Sequence, residues 1–221
     1  MAKMQPKKAK ASQIRVNKKI EALEARLQAL EDIEEIKKLV RMYGYYLDKG
    51  LWDQIIPLFS NDCSIEISGL GVYLGKKQAE TLFKKVLGQG PAKSGKNGLK
   101  YGRLFNHLIL QGIVHVDPYE RTAKGRWRAF IQVAEFNKRA IWGEGPYEME
   151  YVKENGKWKI MKLHFYRTYH TPFDQGWAKA KSTMEGPNKE FPPDLPPSEE
   201  YDPYPSVYVP PFHYKNPITG E

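Results

Sequence analysis

The sequence predicts an α+β fold, a set of helices packed on one antiparallel sheet. Three observations carry this. A helical apolar stripe runs from Ile20 to Tyr43; four strand-like runs follow one another from about residue 104 to 170; and Asn155-Gly156 is a strong hairpin signal between the last two runs. Helices and strands do not alternate along the chain as a parallel α/β sheet would require.

The elements follow in order. Residues 1–13 are poor in apolar side chains and are expected to be a disordered basic tail. From about 14 to 49 the chain reads as helix. Ile20, Leu23, Leu27 and Leu30 fall at a/d spacing, and Ile33, Ile36, Val40 and Tyr43 continue the stripe. The first part suits a short coiled coil or a helix packed on a neighbouring subunit. Lys49-Gly50 supplies the helix stop. Trp52, Ile55, Ile56 and Phe59 share one face of a second short helix, Ser60-Asn61-Asp62 reads as a turn, and Cys63–Ile67 as a strand. A third helix is expected over 76–87, then a Gly- and Lys-rich loop over 88–102. Strands are expected over about 104–116, 124–137, 139–153 and 156–170. Residues 171–221 hold 11 of the 16 prolines, which exclude helices and central strands. They also hold eight aromatic residues, against a loose linker. The reading is one domain over 14–170 and an extended arm over 171–221, docked on that domain or on a neighbouring subunit.

Composition narrows the function. The net charge of +9 suggests nucleic acid, but residues 1–19 hold seven basic residues and no acidic one, leaving the remaining 202 near +2. No nucleic-acid partner is expected. Nor is a membrane span, since no run of 18 apolar residues occurs. The single cysteine, Cys63, allows no internal disulfide and no thiolate metal site, and a reducing cytoplasm is expected. No dinucleotide fingerprint, phosphate-binding loop or His/Cys ligand cluster is found, so neither cofactor nor metal is expected.

Several short motifs occur in a telling order. They are Tyr45-Tyr46-Leu47-Asp48-Lys49-Gly50-Leu51-Trp52-Asp53, then Leu58-Phe59 and Asp62-Cys63-Ser64-Ile65, then Phe105-Asn106-His107-Leu108, and last Asn155-Gly156-Lys157-Trp158-Lys159-Ile160. Over residues 29–170 this order resembles the SnoaL-like group of the nuclear transport factor 2-like superfamily. The resemblance implies a cone-shaped, strongly curved antiparallel sheet wrapped on helices around a deep apolar pocket. Some members only bind or scaffold. The catalytic branch includes scytalone dehydratase, a dehydrochlorinase and a lignin diarylpropane lyase.

Residue roles follow from that resemblance. Asp48 and His107 match the Asp–His dyad of the catalytic branch, in which a carboxylate orients an imidazole that moves protons near neutral pH. Tyr46 joins them as a candidate catalytic group, and Tyr73 and Tyr147 as cavity tyrosines. The dehydratase carries a second pocket histidine on its next strand. The corresponding run here, Trp127 to Val133, has none; Arg126, Arg128 or Gln132 is the expected substitute, and Trp127, Arg128 and His164 on the last strand are put forward as substrate contacts. The implied activity is that of a cofactor-independent lyase on an aromatic, hydroxylated small molecule, such as deformylation of lignin-derived diarylpropanes to stilbenes. A dehydratase or isomerase of a polyketide- or steroid-like substrate, or a non-catalytic binding or assembly module, are the alternatives. A homo-oligomer is expected, a trimer by resemblance to the dehydratase branch.

Overall fold

A computed structural model describes residues 5–95 and 98–221, with the side chains of 5–9 excepted. The chain runs α1 (Gln5–Asp48), α2 (Trp52–Ile55) with a 3-10 turn over Ile56–Leu58, β1 (Phe59–Ile67), β2 (Val72–Leu74) and α3 (Gly75–Glu80), which continues as wide π-type turns over Thr81–Leu87. A small hairpin, β3 (Ser94–Gly95) and β4 (Gly98–Leu99), precedes the long strands β5 (Arg103–Asp117), β6 (Thr122–Glu135), β7 (Arg139–Glu154) and β8 (Lys157–Phe165). β9 (Tyr169–Pro172) and the short α4 (Gly176–Lys179) follow.

The main sheet is open and ordered β2-β1-β8-β7-β6-β5, with β9 pairing β7 beyond the end of β8. All pairs are antiparallel except β1 with β8. Alternation gives the sheet two unlike faces. Trp127, Ala129, Ile131 and Val133 of β6, with Tyr147, Met149 and Tyr151 of β7, point into the core. There they meet Ile36, Val40, Tyr43 and Leu47 of α1 and Leu82, Phe83 and Val86 of the third helix. Asp32 pins α1 to the sheet: its carboxylate receives the Lys153 ammonium at 2.5 Å and the Trp158 indole N–H at 3.0 Å.

The helix stop is built as a Schellman turn. Gly50 N–H donates to the Leu47 carbonyl and Leu51 N–H to that of Tyr46, with Gly50 at φ +63°, where a side chain would be strained. The arm lies on the outer face and far edge of the sheet. Leu195 bridges Val72, Ser198 donates to Glu66 through backbone and hydroxyl, and Tyr208 stacks on both Tyr166 and Tyr201.

Several local expectations differ from the structure. The arm, expected to hold no helix, carries the short α4 (Gly176–Lys179), and the expected loop over 88–102 carries the β3–β4 hairpin. The stripe expected to run unbroken from Ile20 to Tyr43 is two stripes, exposed as far as Leu30 and buried from Ile36. Residues 5–13, expected to be disordered, are the start of α1; residues 1–4 lie outside the described residues. Ser60-Asn61-Asp62 is not a turn but part of β1, at a register irregularity between Phe59 and Ser64. The run 156–170 is interrupted at Tyr166–Thr168, where one extra residue is accommodated opposite β7. Among the described residues no helix is long and apolar enough to cross a membrane.

Candidate active site

The fold leaves a cavity of about 440 Å³ between the ends of α1 and α3, the concave face of β5–β9 and the arm near residue 187. Such a volume suits a small aromatic molecule. Its wall is mostly apolar, with Leu47, Ile67, Val86, Phe105, Ile131 and Phe165 among the lining side chains. Polar groups converge from several elements: Tyr43 from α1, His107 from β5, Tyr147 from β7, Arg167, Tyr169 and His170 from the end of the sheet, and Glu185 and Asn188 from the arm.

His107 sits inward on β5, its ring against Phe105 with centroids 4.5 Å apart. Its Nδ1 is buried and has no hydrogen-bond partner among the described residues. Burial drives its pKa down to about 4, opposed by the Phe105 carbonyl and assisted by the nearby His170. The imidazole is therefore neutral at pH 7.

Asp48 does not hold that ring. Its Oδ1 accepts the backbone N–H of His107 at 2.6 Å, which ties the last turn of α1 to β5. Burial raises the Asp48 pKa, and the His107 N–H opposes the rise. The side-chain dyad expected from the sequence is thus absent, and the carboxylate serves the strand.

A different histidine–carboxylate pair lies at the cavity rim, where the Glu185 side chain is half exposed. His170 Nδ1 stands 3.5 Å from Glu185 Oε1, and Arg167 meets the other carboxylate oxygen at 2.5 Å. Arg167 also donates to the Thr183 carbonyl at 2.7 Å, which fixes the arm at this point. Burial works to raise the Glu185 pKa, but His170 and Arg167 more than offset it and hold the carboxyl at about 2. The carboxylate is ionised, and it balances the arginine. Opposite, the Tyr43 and Tyr147 rings meet edge to face, and burial pushes both phenols well above their ordinary value. Both hydroxyls stay protonated and can donate hydrogen bonds.

Of the eight residues put forward from the sequence, only His107 and Tyr147 line the cavity. Asp48 touches it through the His107 backbone. Tyr46 is half-buried and packs on the core. Tyr73 is fully buried and donates to the Phe191 carbonyl, tying down the arm. Trp127 is buried with its indole N–H on the Tyr151 hydroxyl. Arg128 points to the outer face, half exposed, between Gln111 and Glu144. His164 also faces outward, stacked on Tyr166 with centroids 3.8 Å apart and 3.6 Å from Glu66. Sequence reading missed Tyr43, Arg167, Tyr169, His170 and Glu185. Their one signal was that His170 closes the strand run and continues the alternation of β8 with a shift.

Comparison with known proteins agrees with this architecture. A family model described as the SnoaL-like domain matches residues 28–164. Among solved structures, a protein of Novosphingobium aromaticivorans named for scytalone dehydratase is similar at 17% identity and a TM-score of 0.55, over 72% of this chain and 95% of that one. The hexachlorocyclohexane dehydrochlorinase LinA-type3 of Novosphingobium barchaimii is similar at 20% identity and a TM-score of 0.55, over 67% and 94%. A Mycobacterium tuberculosis protein of unknown function is similar at 17% identity and a TM-score of 0.53, over 64% and 75%. At these identities the structures speak to fold, while the family model spans more than half of the chain, which therefore belongs to the SnoaL-like family.

Proposed function

We propose that this chain is a cofactor-independent lyase that holds an aromatic, hydroxylated molecule in the cavity and moves its protons with His170 and His107. The observation that carries the reading is the placement of two imidazoles on one apolar cavity, one backed by a carboxylate and one buried with a free ring nitrogen. His170 acts as the base, and Glu185 stabilises the imidazolium that forms. Neutral His107 meets a substrate hydroxyl. Tyr147 and Tyr43, protonated throughout the neutral range, donate to the oxygen on which charge develops. His170 thus supplies the second histidine that β6 lacks.

The cavity also selects by charge. Arg167 is already balanced by Glu185, and the rest of the wall holds apolar side chains with phenols, imidazoles and an amide but no second guanidinium or ammonium. A neutral phenol is favoured over a carboxylate. Elimination from a phenol-activated carbon chain is the reaction class, and deformylation of a lignin-derived diarylpropane diol is the specific member we advance: the hydroxyl on the phenol-activated carbon leaves as water, the C–C bond to the hydroxymethyl carbon breaks to release formaldehyde, and its electron pair completes the stilbene double bond. The SnoaL-like family and its dehydratase- and dehydrochlorinase-named neighbours support the class; the substrate rests on the wall's aromatic side chains and on an arginine that already has its counter-charge.

The test is incubation of the purified chain with lignin-derived diarylpropanes, reading formaldehyde release and stilbene absorbance, with His170→Gln and His107→Leu alongside. Turnover that falls by about 10² or more in both variants is expected. Tight binding without turnover in the wild type would identify a binding module instead, and full turnover in His170→Gln would remove the proposed base.

A further inference from the structure

The free half of α1 carries a feature that neither the cavity nor the core uses. Residues 10–28 are all exposed, and the helix makes its contacts with the body from Asp32 onward. Yet Val16, Ile20, Leu23, Leu27 and Leu30 form a continuous stripe, with exposures of 47%, 46%, 51%, 57% and 62%. Their spacing of four, three, four and three residues is that of d-a-d-a-d in a heptad. The next apolar residue, Ile33, comes three residues after Leu30 where the heptad calls for four. That slip turns the following stripe, Ile36, Val40, Tyr43 and Leu47, into the body and leaves the first stripe facing away from it.

The flanking charges say what covers the stripe. With Ile20 at a, the g positions are Lys19 and Arg26, and the e positions are Glu24 and Glu31. In a parallel pair each g residue faces the e residue five places on in the other helix. Lys19 would then meet Glu24 of a second copy, and Arg26 would meet Glu31. Both contacts join opposite charges, and symmetry doubles them. In an antiparallel pair g faces g and e faces e, so every contact would join like charges. We infer that α1 forms a parallel, in-register coiled coil with a second copy of this chain along Val16–Glu31. Sixteen residues span about 24 Å, enough for five apolar layers.

The experiment uses the full chain and reads its mass across concentration by sedimentation velocity. The wild type is expected to associate, and Leu23→Asp to weaken association by at least about 100-fold with an unchanged melting temperature, since the stripe lies outside the body. A wild type that stays monomeric at all concentrations overturns the inference, and so does an oligomer whose mass Leu23→Asp leaves unchanged. Charge reversal tests the pairing. Lys19→Glu with Arg26→Glu, and Glu24→Lys with Glu31→Lys, should each lose self-association, and an equimolar mixture of the two double variants should regain it. Orientation is read by Val16→Cys, which lies at one end of the stripe: oxidation should give a disulfide-linked pair if the helices are parallel, and its failure in an associated protein excludes the parallel register.

Discussion

The carboxylate of Asp48 accepts the backbone N–H of His107 at 2.6 Å, while Nδ1 of the same histidine is buried without a partner among the described residues. The contact fastens the end of α1 to β5 and positions the His107 ring over the cavity from behind. An amide oxygen accepts the same hydrogen bond, more weakly than a carboxylate but without leaving the N–H unpaired. Asp48→Asn should therefore keep the fold and retain activity within about tenfold, whereas Asp48→Leu strands a buried N–H and should lose roughly 1–3 kcal/mol of stability. Urea unfolding with steady-state kinetics separates the cases. A loss of about 10⁴ in kcat for a fully folded Asp48→Asn would mean that the charge takes part in proton transfer.

Acid should weaken the protein through His107. The unfolded chain takes up a proton on this residue near 6.5, and the folded chain only near 4. Between those values the unfolded state binds more protons, so stability falls as pH drops from 6.5 towards 4 and the loss then levels off. The gap corresponds to on the order of 3 kcal/mol. Chemical unfolding at pH 7 and pH 4.5 should show a smaller acid loss in His107→Leu than in the wild type by most of that amount. His164, whose burial lowers its pKa to about 3, acts in the same sense in both proteins and cancels in the comparison. Equal acid losses in the two proteins would place the His107 ring in contact with water.

Gly145 lets β7 pass the irregular stretch after β8. A Cβ there would stand 1.9 Å from the Tyr166 carbonyl oxygen, a backbone atom that cannot step aside. Gly145→Ala should cost about 3 kcal/mol or more and disturb Arg167 and His170 just beyond. Gly156→Ala is the control: it meets nothing within 4 Å and suffers only its φ of +76°, so about 1–2 kcal/mol is expected. Thermal unfolding of the two variants checks the order.

Much of the fold was legible because it is written in local pattern. The Gly50 stop, the Asn155-Gly156 hairpin and the alternation of β5 to β8 each depend on neighbours in sequence. The site was less so. Whether Tyr73 or Trp127 serves a cavity or a core depends on where its polar tip finds a partner, and those partners, Phe191 and Tyr151, come from other elements. Arg128 and Trp127 are adjacent on β6, and the pleat sends one out and the other in. Ser60-Asn61-Asp62 has turn chemistry, yet β8 pairs with Phe59 before it and with Ser64 after it, and β1 passes through as an irregularity. His170 reaches the cavity only because the chain slips one residue at Tyr166–Thr168, and its carboxylate arrives from the Pro-rich arm. No spacing rule joins His170 to Glu185.

The Glu185 carboxylate should serve two purposes that one substitution can separate. It stands by His170, and it balances Arg167. Glu185→Gln keeps the shape and removes the charge. Without it the imidazolium formed during turnover has no counter-charge, so kcat should fall by about 10². At the same time the Arg167 guanidinium faces the cavity unbalanced, and an aromatic carboxylate should bind the variant roughly tenfold more tightly than the wild type, which is about 1.4 kcal/mol. A neutral phenol of the same shape should bind both proteins alike. Calorimetric titration with such a matched pair reads the second effect without turnover. If the carboxylate gains nothing in Glu185→Gln, Arg167 is not aimed at the cavity, and the preference for uncharged ligands must come from the apolar wall alone.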